Sequence, residues 1–179
     1  MTWVSRIGRA TGAADPAVRH GRLAPRVSHL LGSTMGSVDW CDAFWVDLPR
    51  DSPDDPLFWR AALFGADDAP RRTSGLMRLR DLLARRLGLK AAGSADGAAF
   101  PVLARAGQEV VMGMDDRHLD FRVALAVRPH GSDRLVVTTA VRRHNRLGRA
   151  YFACIRGPHH VLVPRWTRRA VRRAGVGRA

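Results

Sequence analysis

The sequence predicts an α+β fold, an antiparallel sheet closed by a long, arginine-rich C-terminal helical segment. Two observations carry this expectation. Between residues 100 and 143, four runs rich in β-branched and aromatic residues follow one another across short polar turns. Residues 146 to 174 then place apolar side chains at helical spacing, and no other segment is left to cover the sheet. A chain of 179 residues suits one domain with its own core.

Residues 1–36 have no apolar period and mix Gly, Pro and Ser with scattered Arg, so they read as a flexible basic leader, with Met35 as an alternative start. Val38 to Leu48, rich in aromatic and β-branched residues, stops at Pro49 and reads as the first strand. A helix follows, with Asp55 as N-cap, Pro56 in the first position, and Phe58, Trp59, Ala62 and Leu63 as apolar contacts before Gly65. A second helix is expected from Ser74 to Leu87, where Leu76, Leu79, Leu82, Leu83 and Leu87 share a face and Gly88 ends it. Residues 91–98 are small and read as a loop.

Strands are then expected at Phe100–Arg105, Glu109–Asp115, Leu119–Pro129 and Arg134–Arg143. In the third, Leu119, Phe121, Val123, Leu125 and Val127 alternate with a mixed set that includes Asp120 and Arg122, so one face is core. The link from His130 to Asp133 is hairpin-like and makes the last two strands antiparallel neighbours. In the final segment Leu147, Tyr151, Cys154, Ile155, Leu162 and Trp166 form the apolar stripe. Pro158 and Pro164 interrupt it, which predicts a kinked helix or two abutting ones. Past Pro164, Arg165, Arg168, Arg169, Arg172 and Arg173 fall on a solvent side opposite Trp166, Ala170 and Ala174. The single domain is expected over residues 37–174, with 175–179 as a disordered tail.

The formal net charge is +14, and its distribution decides what it means. Residues 1–36 carry five Arg and one Asp, residues 37–141 carry fourteen basic and fifteen acidic side chains, and residues 142–179 carry eleven Arg and no acid. The body is therefore neutral and the ends basic. Lys90 is the single lysine, as expected where a GC-rich genome biases codons toward Arg, so part of the charge need not mark a binding surface. Cys41 and Cys154 have neither metal spacing nor disulfide-scaffold density, which fits reduced thiols and a cytoplasmic location. No run approaches the ~18 apolar residues of a membrane span. The GxSxG, P-loop, HExxH, CxxC and GxGxxG motifs are absent, which counts against hydrolase, NTPase, zinc-protease and self-contained dehydrogenase readings.

Asp115-Asp116-Arg117-His118-Leu119-Asp120 is the densest polar cluster. His118 and Asp120 share one side of a strand, which makes a carboxylate-oriented histidine base the candidate catalytic pair and a metal site a geometric alternative. The simpler reading is a turn capped by Asp side chains, with Asp120 paired to Arg122 on the outer face, and no metal is assigned. Asn145 is expected as N-cap of the last helix and His144 as a residue at a cavity mouth. Trp59, Met112, Tyr151 and Trp166 are ligand-lining candidates, against the competing reading of plain core. His159 and His160 are adjacent, cannot both address one metal from a helix face, and are assigned none.

Four blocks, Phe58-Trp59-Arg60, Leu76 to Asp81, Gly113 to Arg122 and His144 to Tyr151, are similar to those of a bacterial domain family of the START / Bet v 1-like (SRPBCC) superfamily, over roughly residues 37–173. The resemblance implies a helix-grip fold: a curved antiparallel sheet with two short helices and a long kinked C-terminal helix. In that superfamily the sheet and helix enclose an apolar cavity used for lipids, polyketides or aromatic metabolites. Domains of the family also occur fused behind short-chain-dehydrogenase-like NAD(P)-binding domains, which implies an oxidoreductase as a partner. No cofactor of its own is expected. The function so implied is binding of a small apolar ligand in a cavity of a few hundred Å³ between sheet and C-terminal helix. Two readings compete with it. One is nucleic-acid or anionic-surface binding through Arg165 to Arg173, ranked lower because no stacking aromatics interleave with the charge. The other is an accessory module for the oxidoreductase.

Overall fold

The computed structural model describes residues 28–64 and 100–176, together with the strand at 18–21. The expected helix over 74–87, the loop 91–98 and most of the leader lie outside the described residues. In chain order the elements are β1 (Val18–Gly21), α1 (His29–Ser33), β2 (Trp40–Asp47), α2 (Pro56–Phe64), β3 (Val102–Ala106), β4 (Glu109–Asp115), β5 (Leu119–Val127), β6 (Arg134–Arg143) and α3 (Arg146–Val176). A short 3-10 turn, Pro129–Gly131, links β5 to β6.

The sheet has six antiparallel strands in the order β1-β2-β6-β5-β4-β3. Strands β3 to β6 form a meander whose spatial neighbours are also sequence neighbours, and the last strand closes on β2 with Trp40 opposite Val141 and Phe44 opposite Val137. Asp39 secures that closure. Its carboxylate accepts the Arg143 backbone N–H at 2.6 Å. That bond, opposed by partial burial and helped by the Arg143 charge, holds its pKa below the ordinary 3.8.

Alternation along the strands sends Val46, Val110, Met112, Val123, Leu125, Val127, Leu135 and Val137 to one face, where Trp59 of α2 and Ala170 and Val171 of α3 complete the main core. Asp55 accepts the Leu57 N–H at 2.9 Å and caps α2 as expected. Trp59 is fully buried and donates its indole N–H to the Pro53 carbonyl at 2.8 Å. Phe58, read as an apolar contact, lies at the surface.

The opposite face is not left to solvent, because α1 covers it. Leu31 and Met35 pack there on Val111, Ala124 and Ala140. Residues 28–36, read in sequence as part of the leader, are thus built into the domain. Ser28 accepts the Leu31 N–H at 3.0 Å and donates its hydroxyl to Glu109 of β4. Arg122 is also buried on this face, donating to the Thr34 carbonyl at 2.8 and 3.0 Å and pairing with Asp115 at 2.6 Å. The expected Asp120–Arg122 pair does not form, since Asp115 across the β4–β5 turn and the α1 carbonyl take up the guanidinium.

The β5 strand ends at Val127, two residues short of the expected Pro129, because Arg128 turns to φ 47°. Its guanidinium then ties the hairpin to the loop before α2, bonding Asp54 at 2.6 Å and the Pro49 and Arg50 carbonyls at 2.9 Å.

For α3 the sequence offered a kinked helix or two abutting ones. It is one helix of 31 residues that runs through Pro158 and Pro164 without interruption and takes in the first two residues of the expected tail. Each proline forfeits one backbone donor, but Phe152, Thr167, Ala170 and Val171 are all buried, and that packing holds the helix together. Cys154, placed on the apolar stripe from its spacing, is exposed, and Phe152 holds the inward position instead.

Candidate functional site

The helix α3 lies against β2 and β6, while α2 lies against β5 and β4. Between them the strand side chains of Val123, Val137 and Val141 do not fill the distance to Phe152, Ile155 and Val163 of α3, and a cavity of about 150 Å³ remains. This is smaller than the few hundred Å³ typical of a drug-sized ligand and matches the volume that accepts a single benzene ring. Its walls are almost wholly apolar. Among the polar side chains in the wall, Thr167 already donates its hydroxyl to the Val163 carbonyl at 2.8 Å.

Tyr151 and Trp166 line this cavity, as do Trp40, Phe64, Phe100 and Phe121. Trp59 and Met112 do not, because both are fully buried in the adjoining core and their volume is spent on packing. His144 does not line it either. It pairs through Nε2 with Asp120 at 2.9 Å, and its backbone N–H donates to the His118 carbonyl at 2.9 Å.

The His118–Asp120 pair is not assembled. Asp120 is engaged with His144 and with the Asp116 backbone N–H at 3.2 Å, while His118 Nδ1 receives the Asn145 side-chain amide at 2.9 Å. With Nδ2 so directed, Asn145 Oδ1 accepts the Gly148 N–H at 3.0 Å and caps α3. These contacts splice the β4–β5 turn to the first turn of α3. The fit is close: a Cβ on Gly148 would lie 1.9 Å from the His118 carbonyl oxygen. Among the described residues no group of three or more His, Cys, Asp and Glu could hold a metal ion.

A different cluster meets the cavity through His159, and sequence reasoning missed it. Along β2 the inward positions are Trp40, Asp42, Phe44 and Val46, so a carboxylate faces the core between two aromatic rings. Asp42 is 1% exposed. Over it lie the two adjacent histidines of α3. His159 Nε2 is 3.2 Å from Asp42 Oδ1, and His160 Nδ1 is 3.5 Å from Oδ2, an ion-pair distance without hydrogen-bond alignment. The His159 ring stands edge-on to Trp40, centroids 5.6 Å apart, and tilted to Phe44 at 5.7 Å. Two neighbouring helix residues reach one carboxylate because it lies beneath the space between them. The legible signal was parity: Asp42 alternates in step with Trp40, Phe44 and Val46 on a strand otherwise apolar on that side.

The same burial governs the cysteines. The Cys41 thiol is pushed up to about 11, first by burial and then by the negative charge of Asp42 beside it, whereas Cys154 is exposed on α3. Iodoacetamide at pH 8 is therefore expected to alkylate the exposed Cys154 well before Cys41, whose thiol is partly buried and held protonated. Peptide mass spectrometry of a timed reaction checks this, and equal rates would contradict the packing around β2.

Among the described residues no helix is long and apolar enough to cross a membrane. No curated protein and no solved structure matches the chain. A family model described as "Protein of unknown function (DUF2867)" matches residues 34–166, from before β2 into the second half of α3, a span that holds Asp42, His118, Asp120, His144, His159 and His160, and the chain belongs to that family.

Proposed function

We propose that the protein binds a small apolar molecule, of the size of one aromatic ring, in the cavity between the sheet and α3. The observation that carries this reading is the cavity itself: about 150 Å³, walled by apolar side chains from β5, β6, α2 and α3. An apolar occupant of that volume gains the dispersion contacts that its walls otherwise lack. The strand order, with β2 closing on β6 and the long α3 laid over that junction, supports a helix-grip reading of the fold. Of the ligand classes used by that superfamily, the volume favours an aromatic metabolite over a lipid chain.

Trp40 and Trp166 both line the cavity, so occupancy is read by tryptophan fluorescence. Toluene is expected to give a saturable change in the wild-type protein. Ile155→Trp, which fills the cavity from α3, is expected to weaken that binding at least tenfold while retaining the far-ultraviolet dichroism of the fold. Absence of saturable binding by toluene, indole and cyclohexane alike would overturn the reading.

A further inference from the structure

We infer that Asp42, His159 and His160 form the polar end of this cavity, a site for the hydroxyl group of a phenolic ligand, which donates its O–H to His159 Nδ1. The inference rests on the cavity reading above and adds to it the chemical class of the ligand.

Three features of the cluster support it. His159 is part of the cavity wall, so the imidazole meets whatever occupies the space. Its Nε2 is committed to Asp42 Oδ1 at 3.2 Å, and with the proton held there, Nδ1 is left as an acceptor with no partner among the described residues. A carboxylate that fixes the tautomer of an imidazole and leaves the other nitrogen facing a pocket is the orienting half of a hydroxyl-activating arrangement. The missing third member is an O–H group. No serine or threonine hydroxyl among the described residues bonds His159, so the ligand supplies it.

Burial of Asp42 is the second argument. A carboxylate 1% exposed, with no Lys or Arg paired to it among the described residues, is costly to hold, and an apolar residue of similar volume would serve packing as well or better. Here its partners are two imidazoles, His159 at 3.2 Å and His160 at 3.5 Å. The aromatic rings of Trp40 and Phe44, on either side of Asp42 along β2, contact both imidazoles, Trp40 edge-on to each and Phe44 edge-on to His160 and tilted to His159, and fix their planes. A rigid hydrogen-bond acceptor is thereby set in an otherwise apolar wall, the pattern by which a pocket selects one oriented ligand. Asp42 and His160 are positioning residues in this scheme, and His159 makes the contact.

The test compares two ligands that differ by one hydroxyl. Isothermal calorimetry on the full chain is expected to show p-cresol binding about tenfold or more tighter than toluene, the range for one hydrogen bond to a charge-supported acceptor. His159→Phe should abolish that preference while toluene still binds, and Asp42→Asn should reduce it. In parallel, the Nδ1 resonance of His159 in the wild-type protein should move on addition of p-cresol and stay in place with toluene, a readout independent of whether the variants fold. If toluene binds as tightly as p-cresol, or the Nδ1 resonance is unmoved by p-cresol, the phenol site is overturned and the apolar cavity stands. If neither compound binds, both fall together.

Discussion

Gly148→Ala is expected to lower the stability of the protein by at least ~3 kcal/mol, the reverse of what glycine-to-alanine exchange does in an ordinary helix. The cause is a backbone contact. An alanine methyl would lie 1.9 Å from the His118 carbonyl oxygen and 2.8 Å from its carbon, and no side-chain rotation relieves either approach. That carbonyl cannot withdraw without losing the His144 N–H at 2.9 Å. The helix cannot withdraw without losing the Asn145 cap and its bond to His118. The substitution therefore strains the splice between the β4–β5 turn and α3, the point at which the helix is launched across the sheet. Gly157 supplies the internal control. A Cβ there meets nothing within 4 Å, so Gly157→Ala should stabilise by ~0.5–1 kcal/mol. Urea unfolding followed by far-ultraviolet dichroism measures both, and opposite signs are the expected result.

The second large effect belongs to Trp59. It is the largest fully buried side chain described, and it anchors α2 to the sheet while its indole N–H satisfies the Pro53 carbonyl. Trp59→Ala removes that volume from a core that also holds Val110, Met112 and Val127 and should cost ~3–5 kcal/mol. Trp59→Phe keeps most of the apolar area but leaves the carbonyl unpaired, and should cost ~1–3 kcal/mol. Its neighbour Phe58 is 39% exposed, so Phe58→Ala should cost under ~1 kcal/mol in the same urea titrations. A Trp59→Ala protein as stable as Phe58→Ala would mean that α2 is not seated as described.

Local rules read this chain well wherever the local choice and the tertiary environment agree. The bounds of β4 and β6 fall where period and turn residues placed them, because each strand runs between polar turn residues and buries one alternate set of side chains. The Asp55 cap and Pro56 start of α2 were legible for the same reason. Proline chemistry, by contrast, left open a kinked helix or two abutting ones, and the structure has a single helix. The loss at Pro158 and Pro164 is local, and the burial of Phe152, Thr167, Ala170 and Val171 that offsets it is not visible in a window of sequence. The leader was read from composition, which does not register that Leu31 and Met35 have a sheet face to cover.

The site divides along the same line. Tyr151 and Trp166 were found in the wall because helical spacing points them inward. Trp59 and Met112 were placed with them because large apolar residues look alike in sequence whether they fill a core or line a hole. His118 and Asp120 were read onto one strand face, but His118 lies in the turn before β5, and each found a partner in the His144–Asn145 pair brought in by the start of α3. Asp42 and His159 are more than a hundred residues apart, and nothing but the β2–β6 closure beneath α3 brings them together.

The two prolines of α3 stand on either side of residues 159–163, where His159 and Val163 roof the cavity. By the i to i−4 rule each removes one rung of the hydrogen-bond ladder, at the carbonyls of Cys154 and His160. Both ends of the helix are held, the first by Asn145 and the Gly148–His118 contact, the second by buried Ala170 and Val171. In mechanical terms α3 is a beam clamped at both ends and notched at midspan. Bending strain in such a beam collects at the notches, so the stretch that roofs the cavity can bow outward while the anchors that define the fold stay in place.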